Sequence, residues 1–211
     1  MEKYCNRAFW GMHLTYQEDV VAEDKDLTDV QCVLEGDVSA FENIVRRWQK
    51  PLINLAFRFC RDRQRAEEMA QDAFFQIYQK LHGFRGDSAF STWLFAVSLN
   101  TFRSSMRRRS LPVESIEALA EIAGGNVAHL SVEQRERDEL IRRAVAALPP
   151  KYRDAIILYY FKEKDLAESA KIIGVSEGTL KARLHRGREL LGRKLCDTMV
   201  APAAAAEEVH L

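Results

Sequence analysis

Apolar residues recur every three or four positions along most of the chain, beginning near Leu27. This spacing lines up apolar side chains on one face of an α-helix, and it repeats in segment after segment. A strict alternation of apolar and polar residues, which would indicate a half-buried strand, never continues for more than a few residues. The pattern therefore predicts an all-α fold.

The helical pattern is interrupted by a segment that contains Pro112, the sequence Gly124-Gly125-Asn126 and several acidic residues. Such a composition is typical of a flexible linker. We therefore predict two small helical domains joined by a flexible linker. The predicted segments are a mobile N-terminal extension at residues 1–25, a first domain at 26–109, the linker at 110–132, a second domain at 133–196 and a frayed Ala-rich tail at 197–211.

Residues 166–191 predict two short helices with a tight turn between them. Gly174 stands where a left-handed residue would end the first helix, and Ser176 stands where a hydroxyl would cap the second. A short helix, a glycine-containing turn and a second helix with a basic outer face are typical of a DNA-binding helix-turn-helix. The alternative is a helical hairpin whose charged face is only solvated, but the nearly uniform sign of the outer face favours DNA. That outer face carries Lys181, Ala182, Arg183, His185, Arg186 and Arg188.

A second informative helix is predicted over residues 89–109. Its outward stripe carries Asn100, Arg103 and Arg107, at helical spacings of three and four. An asparagine amide can read a base edge as donor and acceptor together, and arginines supply phosphate contacts. Arg107 and Arg108 also stand near the helix C-terminus, where cations suit the helix dipole, so the cluster has a structural explanation as well.

The helix predicted over residues 67–81 has an outer face of a different kind. It is rich in carboxylates and amides and has one exposed aromatic residue. Such a face would avoid DNA and would suit a protein partner with Arg or Lys side chains, although an ordinary solvated helix is the favoured explanation without further information. The residues are Glu68, Gln71, Asp72, Phe75 and Gln76.

Charge is balanced over the whole chain, with 31 Lys and Arg residues against 31 Asp and Glu residues. Its distribution is uneven. Acidic residues are concentrated before residue 38, and basic residues cluster at residues 46–65, 103–109 and 181–194. Local basic patches on a neutral chain indicate separate surfaces that contact phosphate.

The four cysteines are scattered without a C-x-x-C pair, which fits a reducing compartment and argues against a disulfide framework or a zinc site. No apolar run approaches the roughly 18 residues of a membrane span, and no signal peptide is recognisable. Histidine pairs at metal-binding spacing, glycine-rich phosphate loops and nucleophile motifs are also missing from the sequence. We therefore expect a cytoplasmic protein without membrane insertion, metal or cofactor, and we do not expect an enzyme.

Four motifs together identify a family. They are AEEMAQDAFFQIYQKL, FRGDSAFSTWLFAVSLNTFRSSMRRR, ALPPKYRDAIILYYF and GVSEGTLKARLHRGRELL, in this order. Over about residues 27–195 the chain resembles bacterial RNA polymerase sigma factors of the extracytoplasmic-function type. Two features depart from the family pattern: the first helix of the turn motif reads DLAESAKIIG, and residues 1–25 have no counterpart.

The resemblance implies partners and roles. The first domain would bind the clamp helices of core RNA polymerase through the face that carries Glu68, Gln71, Asp72, Phe75 and Gln76. The loop at residues 82–88 and the helix after it would open and read the −10 element, through Ser98, Asn100, Thr101, Arg103, Arg107 and Arg108. The second domain would sit on the polymerase flap and read the −35 element of promoter DNA, through Ser176, Glu177, Thr179, Lys181, Ala182, Arg183, His185, Arg186 and Arg188. An anti-sigma factor that covers both polymerase-binding faces is implied as a further partner.

Two other functions were weighed. A stand-alone helix-turn-helix regulator would need a dimer contact to match palindromic half-sites, and no dimerisation element is evident in the sequence. A nucleic-acid enzyme or metalloprotein would need ligands or catalytic groups at workable spacing, which the sequence does not offer. Ala182 and His185 leave the preferred −35 sequence open.

Overall fold

A computed structural model describes residues 16–108, 132–161 and 165–205, and side chains within 24–108, 137–160 and 165–196. All regular elements of these residues are helices, which confirms the predicted all-α fold. The chain divides into two compact units: of the described residues, the first includes 16–108 and Lys171–Gly174, and the second includes the others. Residues 110–131 of the predicted linker lie outside the described residues, as do residues 1–15 of the predicted extension.

Within residues 16–108, the first unit contains four α-helices and a short 3-10 turn. Helix α1 begins at Tyr16, about ten residues before the start predicted from the sequence, so the second half of the predicted extension is helical instead. Acidic residues weaken the apolar periodicity there, which explains the misplaced start. The elements are α1 Tyr16–Leu34, α2 Ala40–Cys60, α3 Arg63–Lys80, the 3-10 turn Leu81–Gly83 and α4 Phe90–Arg108.

Helix α3 begins four residues earlier than its apolar stripe predicts, because Asp62 caps it. The Asp62 carboxylate accepts a hydrogen bond from the backbone N–H of Arg65 at 2.9 Å. At the start of α4, which begins at Phe90, the Ser88 hydroxyl donates to the Ala89 carbonyl oxygen at 3.5 Å.

The core of the first unit lies between α2, α3 and α4. Aromatic rings interlock across it: Trp48 meets Phe95 edge-on with ring centroids 5.5 Å apart, and Phe59 lies 6.1 Å from Phe102. Such pairs add geometric preference to the hydrophobic burial. They fix the rotation of α4 against α2 and so decide which residues of α4 face outward.

The remaining helices of the described residues are α5 Val132–Ala146, α6 Pro150–Phe161, α7 Leu166–Ile173 and α8 Glu177–Ala205, and they form the second unit except for the end of α7 from Lys171. Helices α6 and α8 pack closely where Gly187 meets Ile156. A Cβ at Gly187 would lie 3.1 Å from Ile156 Cγ1, so the glycine allows this approach. Helix α8 continues through Ala205, so residues 197–205 of the predicted tail are helical; residues 206–211 lie outside the described residues.

The turn between α7 and α8 has the geometry that the sequence predicts. Gly174 is left-handed, with φ +78°. Its N–H donates to the Lys171 carbonyl and that of Val175 donates to the Ala170 carbonyl, which is the Schellman ending of a helix. The Ser176 hydroxyl then accepts from the backbone N–H of Thr179 at 3.3 Å and caps α8. Both predictions about this turn are confirmed.

Candidate nucleic-acid and protein interfaces

Helix α8 turns one face inward and one outward. Leu180 and Leu184 are buried, and Gly187 lies on the same side against α6. The opposite side, which we call the α8 surface, is exposed except at Arg183, whose side chain is half-buried. Its exposed members from the predicted set are Ser176, Glu177, Thr179, Lys181, Ala182, His185, Arg186 and Arg188.

Arg188 is tied to a neighbouring helix. Its Nε–H donates to the hydroxyl of Tyr160 at 2.8 Å, and its guanidinium carbon lies 5.7 Å from the centre of the same ring. The Tyr160 ring in turn meets Tyr159 edge-on at 5.1 Å. Arg188 therefore joins α8 to α6 as well as adding positive charge to the α8 surface.

Glu189 lies among the cations of the α8 surface and was not in the predicted contact set. Its carboxylate accepts from Arg186 Nη1 at 2.6 Å and lies 3.9 Å from His185 Nδ1. The hydrogen bond from Arg186 is the largest of the influences that lower the pKa of Glu189 below its ordinary value. This pairing can be read from the sequence, because Glu189 follows Arg186 by three positions and His185 by four.

The outward stripe of α4, which we call the α4 surface, consists of Asn100, Arg103, Arg107 and Arg108. Asn100 is exposed, and its Oδ1 accepts a hydrogen bond from Arg103 Nη1 at 3.3 Å. That bond leaves the Asn100 amide N–H groups pointing away from Arg103. Arg107 and Arg108 are exposed at the helix end. An amide flanked by guanidinium groups can pair with a base while its neighbours contact phosphate.

Two residues predicted for this surface do not lie on it fully. Ser98 is buried, and its hydroxyl donates to the Leu94 carbonyl at 2.8 Å inside the helix, so its prediction as a DNA contact is corrected. Thr101 is half-buried and donates to the Val97 carbonyl at 3.0 Å. Both hydroxyls donate to backbone carbonyls of their own helix, as Ser and Thr side chains within helices commonly do.

The loop before α4 carries an aromatic group at the surface. Phe84 is half-buried, and its ring centroid lies 5.4 Å from those of Phe90 and Trp93. Arg85 and Asp87 are exposed beside it. Phe90 is fully buried, so the cluster anchors the loop to the first unit while Phe84 and Trp93 keep part of their surface outside.

The outer side of α3, which we call the α3 surface, is exposed as the sequence predicts. Phe75 keeps 59% of its surface accessible, an unusual exposure for a phenylalanine. Glu68, Gln71 and Asp72 around it are exposed, and Gln76 is half-buried. An exposed aromatic ring surrounded by carboxylates and amides is suited to a protein partner.

Sequence reasoning missed a buried polar cluster between α1 and α2. The Asp26 carboxylate is 1% exposed and accepts from Trp48 Nε1 at 3.1 Å and from Arg47 Nε at 2.8 Å. Arg47 also pairs with Asp29. Burial raises the pKa of Asp26 from its ordinary value of 3.8, against the opposing effects of Trp48 and Arg47. No local pattern announces such a cluster, because its members are about twenty residues apart.

Among the described residues, no group of three His, Cys, Asp or Glu side chains is placed to hold a metal ion. None of the helices in the described part of the chain has an apolar stretch of the length and hydropathy that crossing a membrane requires.

Comparison with known proteins decides the family. Residues 44–111 match sigma-70 region 2, and residues 138–191 match sigma-70 region 4. The RNA polymerase sigma-H factor of Pseudomonas aeruginosa is 32% identical over 83% of this chain and 96% of its own length. The ECF RNA polymerase sigma factor SigW of Bacillus subtilis is 32% identical over 80% of this chain and 95% of its own. This chain belongs to the extracytoplasmic-function sigma factors.

Solved structures agree with this assignment. The sigma factor RpoE of Bartonella quintana, in complex with the anti-sigma factor NepR, shares 25% identity with a TM-score of 0.56, over 75% of this sigma factor and 98% of RpoE. CnrH, in complex with the cytosolic domain of CnrY, shares the fold at 22% identity and a TM-score of 0.60. The family predicted from the four sequence motifs is thereby confirmed, and with it a role as an alternative sigma factor in transcription initiation.

Proposed function

We propose that this sigma factor binds core RNA polymerase through the α3 surface and recognises promoters through the α4 and α8 surfaces. The observation that carries the proposal is the placement of two exposed basic surfaces on two compact units. A −10 and a −35 element are likewise separate patches of one promoter. Polymerase supplies the catalysis, and this chain supplies recognition.

For the −35 element, α8 would enter the major groove with its N-terminal turns. Lys181, Ala182 and His185 are exposed at helical spacing on the side opposite the core, where side chains reach base edges. Arg183 and Arg186 flank them and would contact phosphates. Ser176, Glu177 and Thr179 in the first turn complete the contact set, and Arg188 would contact phosphate while it remains bonded to Tyr160.

For the −10 element, Asn100 would pair with an unstacked base and the arginines of α4 would hold the strand. Extruding a base costs a few kcal/mol, which a prepared pocket offsets. Arg103 fixes the Asn100 amide in advance through their hydrogen bond. Thr101 would contribute at the edge of this surface, and the half-exposed rings of Phe84 and Trp93 lie at the start of the same helix.

For the polymerase, the α3 surface would meet the clamp helices and the second unit would meet the flap. Phe75 would be the apolar anchor, with Glu68, Gln71, Asp72 and Gln76 around it. The complex of RpoE with NepR supports an anti-sigma factor as a further partner that competes for these surfaces. Domains at residues 26–109 and 133–196 with a flexible linker between them, and a cytoplasmic location, are part of the same proposal.

The proposal is tested by reconstitution. Core polymerase mixed with this chain should retain it through gel filtration and should start transcription at discrete promoters in a genomic library, whereas core alone should not. A stand-alone regulator would instead bind a palindromic site tightly and specifically at physiological salt without polymerase. Absence of both retention and promoter selectivity would remove the proposed function.

A further inference from the structure

Glu189 stands at the centre of the α8 surface. It follows Ala182 by seven residues, about two helical turns, and lies opposite the side that buries Leu180 and Leu184. Arg186 and His185 contact it, and the charge of Arg193 also lowers its pKa. A carboxylate therefore sits among three basic side chains on the face that would meet DNA.

The geometry of the Arg186–Glu189 pair works against DNA contact. Side chains on a helix lean toward its N-terminus, which for α8 is the end that would enter the groove. Arg186 instead reaches toward Glu189, one turn nearer the C-terminus, and donates to it at 2.6 Å. The guanidinium is thus drawn back from the inserted turns and given an anionic partner in place of phosphate.

We propose that Glu189 limits the affinity of α8 for duplex DNA. It does so by holding the Arg186 guanidinium and by placing one negative charge beside the phosphate backbone. Before Arg186 contacts a phosphate, its ion pair with Glu189 has to break. The Glu189 carboxylate then loses part of the positive charge that neutralises it. This inference rests on the proposed role of α8 at the −35 element, and it makes Glu189 a residue that tunes affinity.

The chain offers a matched control in Glu139. It also pairs with two cations at helical spacing, Arg142 at 3.3 Å and Arg143 at 3.2 Å, but it lies on α5 and not on α8. Glu189→Gln and Glu139→Gln therefore remove the same charge and comparable pairs from the same unit. Both should lower the thermal midpoint slightly and to a similar extent.

The affinity for DNA is measured by titrating the full chain and each variant against a fluorescent duplex of random sequence, over a series of salt concentrations. Glu189→Gln should bind about two- to fivefold more tightly than the wild type, the size expected for releasing one exposed ion pair. Its logarithmic salt dependence should steepen by about one. Glu139→Gln should match the wild type in both respects.

A second variant distinguishes the effect of the Arg186–Glu189 ion pair from the effect of the Glu189 charge alone. In an Arg186→Gln background, Glu189→Gln should gain less than it does alone, because the residue acts partly through Arg186. Equal binding by Glu189→Gln and Glu139→Gln, including undetectable binding by both at low salt, overturns the proposal. Weaker binding by Glu189→Gln overturns it as well and would mean that Glu189 presents Arg186 to DNA.

Promoter selectivity of the wild-type holoenzyme is measured separately. If run-off transcription shows none, the proposed function fails whatever the duplex titration gives. If selectivity is present and Glu189→Gln binds no more tightly than Glu139→Gln, only the inference about Glu189 fails.

Discussion

Asp26 shows how a single buried carboxylate can join two helices. Trp48 Nε1 donates to both of its oxygens at 3.1 Å, and Arg47 Nε donates at 2.8 Å, so every contact reaches from α1 to α2. A buried charge is costly unless it is bonded in this way. Asp26 thus holds α1 against α2, together with the apolar contacts of buried residues such as Val30.

Replacing Asp26 with Ala should destabilise the first unit by about 2 to 3 kcal/mol, because Trp48 and Arg47 lose a buried acceptor. Denaturant unfolding of the full chain, followed through tryptophan fluorescence, measures the change. Asp24→Ala, at an exposed position of the same helix, is the control and should change stability by less than about 0.5 kcal/mol. A change in Asp26→Ala no larger than in the control would contradict the role given to this cluster.

The raised pKa of Asp26 gives a pH dependence with a defined sign. Between its unfolded pKa, near 3.8, and its higher folded pKa, the folded state binds the proton more tightly. This group's contribution to stability is therefore largest below pH 3.8 and is lost as the pH rises through the folded pKa. The stability of the wild type minus that of Asp26→Asn should fall across this window. A difference that rises with pH would mean that Arg47 outweighs burial.

At this scale the sequence and the structure differ most. Asn100 and Ser98 are two residues apart and both polar, yet one is exposed and the other is buried. Residues two apart on a helix lie about 200° apart around its axis, so the periodicity itself separates them. Ser98 was predicted from the family resemblance and not from its position on the helix. Asp26 could not be predicted either, since its partners come from another helix.

Among the elements, the turn between α7 and α8 is the part that the sequence determines most completely. Gly174 and Ser176 act through their own backbone and nearest neighbours, so local chemistry was enough to predict both. Helix starts set by less obvious caps, such as Asp62 for α3, were placed several residues late. The start of α1 at Tyr16 was missed because no apolar stripe marks its first turns.

Gly174→Ala should destabilise the second unit by about 1 kcal/mol, because a side chain at φ +78° is strained although nothing blocks the space around it. Gly178→Ala is the matched control, since Gly178 lies within α8 with open space around its position. Alanine is the better helix former, so the control should be neutral or slightly stabilising. Thermal unfolding of both variants measures the contrast, and equal effects would contradict the account of the turn.

The α3 surface carries a prediction about partner binding. Asp72→Lys should lower the affinity for core polymerase at least tenfold without changing the thermal midpoint, because it reverses a charge beside the exposed Phe75 on a face proposed to meet a basic partner. Glu42→Lys, an equal reversal at an exposed position of α2, should bind as the wild type does. Competition binding to labelled core polymerase measures both. Matching affinities for the two variants would remove the α3 surface from the interface.

At the scale of the whole molecule, the proposed function assigns the two promoter elements to two compact units. The α4 and α8 surfaces each carry only a few cations, so weak DNA binding by the free chain is expected. In the proposed complex with polymerase the two surfaces would bind DNA together, and their affinities would multiply through a high effective concentration. The four sequence motifs predicted this organisation because they span both units in order. What sequence alone could not supply is contact between helices, such as that of Asp26 with Arg47 and Trp48.

The most direct measurement is run-off transcription from a promoter selected by the wild-type holoenzyme, with Asn100→Ala and Lys181→Ala tested on intact and pre-melted templates. Lys181→Ala should lose most activity on both templates at limiting holoenzyme. Asn100→Ala should be impaired on the intact template and partly rescued when the −10 region is already open. Wild-type activity of both variants on the intact template, or transcription by the wild-type holoenzyme no higher than that of core polymerase alone, would contradict the account.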